Sequence, residues 1–371
     1  MSRGDRRAAP ASTGASTGDG SLSTPPAAPV STPPASTAEP AAPAAPRRHP
    51  ALVITVLALL LLAALLASLT VGRYAISLDA LFSLDETSSN VLFFMRLPRI
   101  GAAALIGAAL AGAGCAFQGI FKNPMVSPDL LGASAGAGFG AAAGILLSLG
   151  SVGVELSAFL MGLIAVGVSY LLSTAIGRSM RGVLVLVLSG MVIGNLFQAF
   201  TSAVKFVADP NSQLPEITFW LMGGLSAVRD SDLYWLLFAL IVGGAGLFVL
   251  RWKINVMGNG DEEALALGVE VKRVRLAVVA FATLLTSASV AVAGMVGWVG
   301  LIVPHLARFL VGADQRALLP ASMLLGSTFL LVVDDLCRSV YTTEIPLSIL
   351  TSIIGAPLFI YLIARTRKGR H

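Results

Sequence analysis

Apolar positions in this chain do not alternate with polar ones; they come in long runs. Runs close to the 17–25 residues that cross a bilayer as a helix lie near 51–71, 98–118, 128–149, 153–176, 183–207, 233–250, 275–297, 300–312, 318–336 and 346–364. The run at 300–312 is too short to span untilted, and the one at 128–149 is broken up by glycine. Because lipid leaves every backbone polar group to be satisfied internally, the pattern predicts an all-α polytopic membrane protein with about ten transmembrane helices.

Composition agrees: 56% of residues are hydrophobic and 12% are charged, about half the charge of a soluble domain. Residues 1–50 are different. They hold ten of the 19 prolines among Ala, Ser and Thr, too little apolar surface to offset the entropy of ordering, so a disordered cytoplasmic tail is expected there. A membrane domain over 51–366 and a basic cytoplasmic end at 367–371 complete the division.

Positive loops face the cytoplasm, and most basic residues accept one arrangement. Arg47 and Arg48 precede the first segment, Arg178 and Arg181 follow the fourth, Arg251, Lys253, Lys272, Arg273 and Arg275 lie between the sixth and seventh, and Arg316 follows the eighth. Arg365, Arg367, Lys368 and Arg370 close the chain. An even number of segments then puts both termini inside. The +5 net charge is spread over these loops as membrane topology requires, and gives no reason to invoke nucleic acid. Arg96 and Arg99 in "RLPR", with Arg338, fall on the outer side. On topology alone they anchor helix ends or meet lipid phosphates.

Glycine and proline mark close packing and breaks. Gly132, Gly136, Gly140 and Gly144 recur every four residues, a seam along one helix face. Pro124 and Pro128 interrupt the entry to that segment, and Pro304 sits in the glycine-rich stretch 293–312. Disrupted helices in corresponding places point to a transporter built from related halves, the segments 2–5 and 7–10, in inverted orientation.

Candidate chemistry is sparse. His305 lacks a partner at ligand spacing and reads as a structural histidine beside Arg308. Cys115 and Cys337 form no CxxC pair and read as small packing residues. No catalytic or metal-ligating array is expected. Asp334 and Asp335 are the carboxylates that a proton-coupled secondary carrier would use, but a local ion pair with Arg338 fits their place better. The loop stretch Gly260, Asp261, Glu262, Glu263, Ala264, Leu265, Ala266, Leu267 and Gly268 has acids first, helix formers next and a glycine stop, which predicts a short surface helix. None of the five lysines follows a glycine, so the chain has no phosphate-binding loop of the GxxxxGK[ST] kind. Any ATP-driven step needs a separate ATPase.

Seven stretches, taken in order, resemble the permease subunits of FecCD-type ABC importers for ferric siderophores, haem and vitamin B12. They are "RLPR" 96–99, "GAALAGAGCAFQGIFKNP" 107–124, "DLLGASAGA" 129–137, "ALALGVEV" 264–271, "GWVGLIVPHLAR" 297–308, "DDLCR" 334–338 and "EIPLSILTSIIGAPLF" 344–359. Met125 and Val126, Met295 and Ser348 depart from the usual pattern by local apolar or small changes.

The resemblance implies a non-enzymatic subunit in the plasma (inner) membrane, with a second permease subunit as homo- or heterodimer and the pathway at their interface. It also implies two ATPase subunits, which would hold the ATP and magnesium, and an extracytoplasmic solute-binding protein. Arg96, Arg99 and Arg338 would pair with acidic residues of that binding protein, and the loop helix 260–268 would seat in the ATPase. Ferric siderophore is the expected cargo, with haem and cobalamin as alternatives.

Overall fold

The computed structural model describes Gly14 and residues 49–72, 89–176, 182–341 and 343–368. The expected tail, with Arg47 and Arg48, and the loop residues Arg178, Arg181 and Arg370 lie outside the described residues.

Twelve helices and no strand occur among the described residues. They are α1 (Pro50–Thr70), α2 (Leu97–Ile120), α3 (Ala133–Leu146), α4 (Gly150–Ile176), α5 (Gly182–Val207) and α6 (Gln213–Met222), then α7 (Asp230–Asn259), α8 (Asp261–Ala266), α9 (Val271–Ala293), α10 (Val299–Val311), α11 (Gln315–Ser339) and α12 (Leu347–Lys368). Each of the ten predicted segments has its helix. Seven helices are long and apolar enough to cross a membrane, while α3, α10 and the apolar part of α12 are shorter. The pattern missed α6, whose polar residues break the apolar run.

Residue size decides position. α1 is mostly Leu, Val and Ala, and among its side chains only Leu57 and Ser68 are buried; it lies at the rim. α2 is rich in Ala and Gly, and from Ala102 onward nearly every side chain is buried. Small residues let neighbouring backbones approach, which is how helices associate where lipid is as apolar as the side chains. α2 packs on α11, and α9 packs on α4. These contacts join the second and ninth segments and the seventh and fourth, the reciprocal pairing expected of two related halves.

A close crossing joins α2 to α11. A Cβ placed on Gly107 would stand 2.2 Å from the Gly326 carbonyl oxygen, and one on Gly326 would stand 2.3 Å from that of Gly107. Ser327 Oγ donates to Ala104 O at 2.7 Å beside this point. The 132–144 glycines meet as tight a fit. Gly136, Gly140 and Gly144 face Met161, Ser157 and Val154 of α4, while Gly132 closes the preceding turn at φ +87°.

Pro124 lies in the turn after α2, and Pro128 opens the 3-10 turn Pro128–Leu131. Pro304 does not break its helix: α10 continues through it. The break falls earlier, at 294–298, where Gly294 takes φ +68° and Trp298 φ +71°. Trp298 is held there by its indole N–H to Ser352 Oγ (3.2 Å) and by an edge-on contact with Phe359. Before α2 the turn Val91–Arg96 is wider than helical, with the Leu97 N–H reaching Leu92 O. Pro98 follows and offers no N–H of its own.

Candidate functional site

Two polar clusters sit at opposite ends of α2, which at 24 residues is about 36 Å long. At its start the three sequence-predicted arginines converge. Arg99 Nε donates to Asp334 Oδ2 at 2.9 Å and Nη2 to Oδ1 at 2.7 Å, while Nη2 also meets Glu344. Arg338 pairs with Asp335 and donates to Ser68 Oγ at 2.7 Å and to Ser68 O at 2.9 Å. Arg96 donates to Leu69 O. This network fastens the end of α1, the start of α2, the end of α11 and the segment before α12. Its guanidiniums face the chain's own carboxylates and carbonyls: Arg96 and Arg338 are 5% and 7% exposed. The expected pair of Asp334 with Arg338 is present but long, at 3.8 Å; Asp334 belongs chiefly to Arg99 and Asp335 to Arg338. Both carboxylates are engaged by arginines of the same network.

A cavity of about 1010 Å³ opens at this end, between α6, the start of α4 and the segment 344–346. Glu155, Glu216, Glu344 and Trp220 are among its lining. Arg229 stands nearby, where its Nη2 meets Glu155 at 2.5 Å and Asp232 at 3.1 Å.

At the other end lies α8. Gly260 precedes it and Gly268 follows it at φ +78°. Ala264 is fully buried and seats the helix, while Glu262, Glu263, Leu265, Ala266 and Leu267 are exposed. Asp261 behaves differently from its acidic neighbours. Its carboxylate receives Arg275 Nη2 at 2.8 Å and lies 3.4 Å from Lys122 Nζ. Burial would raise its pKa, but Arg275 and then Lys122 outweigh this and hold the carboxyl below its ordinary 3.8.

A third feature was missed in the sequence. Along α5, Asn195, Gln198 and Ser202 are exposed and Lys205 is half-buried, one helix face by their spacing of three and four. They line a groove of about 470 Å³ whose other wall includes Ser127, Asp129 and Ser134. The polar spacing was the available signal, but it lies inside an apolar run and reads as one helix.

His305 is buried, with its ring edge-on to Phe309 and its Nδ1 without a hydrogen-bond partner. Among the described residues no group of three or more His, Cys, Asp and Glu is placed to hold a metal ion.

Comparison with known proteins gives a consistent set. Residues 60–365 match the model of the FecCD transport family. The chain is 37% identical to the molybdate import permease MolB of Haemophilus influenzae, over 84% of this chain and 95% of the relative. It is 40% identical to the cobalamin import permease BtuC of Halobacterium salinarum, over 78% and 77%, and 35% identical to the hemin permease HmuU of Yersinia pestis, over 87% and 98%. A solved chain assigned to the metal-chelate type of ABC transporter, captured inward-facing, superposes with TM-score 0.79 at 38% identity, covering 85% of this chain and 99% of that one.

Proposed function

The chain belongs to the FecCD transport family, and on that premise we propose that it imports ferric siderophores. It is a multi-pass inner-membrane permease subunit of an ABC importer and not an enzyme; hydrolysis of ATP belongs to partner subunits. The relatives named above carry molybdate, cobalamin and hemin, so the cargo is argued from this chain's own surface.

The observation that carries the reading is the polar face of α5. Exposed amides and hydroxyls at Asn195, Gln198 and Ser202 are costly against hydrocarbon. They fit a face that meets water and cargo at the interface with a second permease subunit. The groove beside them bears neutral hydrogen-bonding groups along its length and charge only at Asp129 and Lys205. That lining suits a bulky, oxygen-rich chelate of low net charge better than a small oxyanion.

In this reading an extracytoplasmic binding protein docks at the arginine end, and the ATPase subunits receive the exposed residues of α8. Docking through Arg96, Arg99 and Arg338 requires incoming carboxylates to exchange with the internal ones, Glu344 first, since its side chain is 29% exposed against 0% for Asp334. ATP-driven movement of α8 then switches the pathway between outward- and inward-open.

Purification of the complex with its ATPase and binding protein tests this. The expected result is a ferric siderophore retained by the binding protein. Retention of molybdate, haem or a corrinoid instead refutes the cargo, and absence of an ATPase partner refutes the mechanism.

A further inference from the structure

Lys122 stands where a helix end ordinarily takes glycine. It follows the last cap of α2 with φ +51°. Its N–H bonds Gly119 O, and the next amide, Asn123 N–H, reaches back to Gln118 O. This closure needs a left-handed residue, a conformation unfavourable for any residue with a Cβ. The side chain held there reaches Asp261, the first residue of α8. The other oxygen of Asp261 is taken by Arg275, in the second turn of α9. One carboxylate therefore ties α8 to two membrane helices.

The two ties differ in character. Arg275 is 13% exposed and its bond is short, at 2.8 Å, so it acts as a fixed seat. Lys122 is 36% exposed and its contact is longer, at 3.4 Å. A pair that open to water adds little to stability. Its effect is directional: it joins α8 to the helix that ends, on the far side, in Arg99.

We infer that Lys122 and Asp261 are positioning residues that carry movement of α8 into α2, a link that rests on the reading of α8 as the ATPase contact. Asp261 acts inward on its own chain, and contact with the ATPase falls to Glu262, Glu263, Leu265 and Leu267.

The test uses the whole complex with its ATPase in lipid nanodiscs, trapped with ATP and vanadate, with amide hydrogen exchange followed in α8 and in residues 97–104 of α2. Lys122→Gly suits the left-handed backbone and so preserves folding. In the native complex, trapping shifts exchange in both segments by about fivefold or more, the low end of coupling between distant sites. In Lys122→Gly the shift in α8 persists and the shift at 97–104 is lost, and Lys122→Arg restores it. An unchanged response at 97–104 in Lys122→Gly overturns the link, as does identical behaviour of the Arg and Gly variants. No response of α8 in the native complex refutes the ATPase-contact reading itself, and the link falls with it.

Discussion

Arg99 grips Asp334 from 235 residues away, with Nε and Nη2 both donating to a carboxylate that is wholly buried. The pair closes the arginine end of α2 onto the last turns of α11. Removing one partner leaves a buried charge uncompensated. Arg99→Ala is therefore expected to lower stability by about 3–5 kcal/mol, read as thermal unfolding in detergent. Adding Asp334→Asn should recover part of the loss, and full additivity of the two changes would argue against the pair.

Glu344 is the outlying member of that network, and it separates a structural role from a docking role. If Arg99 is offered to a binding protein, Glu344→Gln removes its internal competitor. Binding-protein affinity should then rise by about threefold to tenfold, in keeping with a partly exposed charge pair, and the gain should shrink as salt increases. Equal affinities for native and variant, measured with immobilised permease, would assign the arginines to holding helices together and nothing more.

At the glycine crossing, Gly107→Val has no space to fill, because even a Cβ would stand 2.2 Å from the Gly326 carbonyl. The cost should reach about 3 kcal/mol, the upper part of the range for overpacking. Loss of folded protein in membranes is the simplest readout. Gly258, whose added Cβ would meet nothing within 4 Å, provides the control, and Gly258→Ala should be tolerated.

The exposed leucines of α8 give a contrast in kind. Leu265 and Leu267 are 60% and 62% exposed, so replacing both by serine should leave the unfolding temperature of the permease near native. Assembly with the ATPase should weaken by about tenfold or more, as for loss of an interface anchor. Co-purification yield at graded ATPase concentration measures it.

The tie between Asp261 and its two basic partners also fixes a pH response. Its folded pKa is depressed below the ordinary 3.8, so its contribution is complete above about pH 4–5 and is lost as pH falls through the lower folded value. Attachment of α8 should be flat from neutrality down to about pH 5 and loosen only below that. Protease sensitivity of the 260–268 loop reports it, and a transition near neutrality would require another group.

Much of this architecture was written in hydropathy. Ten apolar runs yielded ten helices, and the short surface helix at 261–266 was predicted from its acids and from Gly268. Breaks are less legible, because proline and glycine stand together in the same stretch. Pro304 sits unbroken in α10, while the chain turns at Gly294 and Trp298. The glycines of 132–144 advertised themselves by spacing, whereas Gly107 and Gly326 lie 219 positions apart and only the fold brings them together. The same holds for the partners of Arg99: sequence shows a charge near a helix end but not that Asp334 and Glu344 will be folded against it.

The Gly107–Gly326 contact carries a mechanical consequence. Two rods touching at one point can scissor about it. Arg99 and Asp334 add a second fastening eight residues along each helix, roughly 12 Å away, and that freedom disappears. α2 and α11 then form a truss without an internal hinge. A displacement applied near Lys122 arrives at the arginine end as tilt of the whole pair, so bending during transport must be found in the joints around the truss.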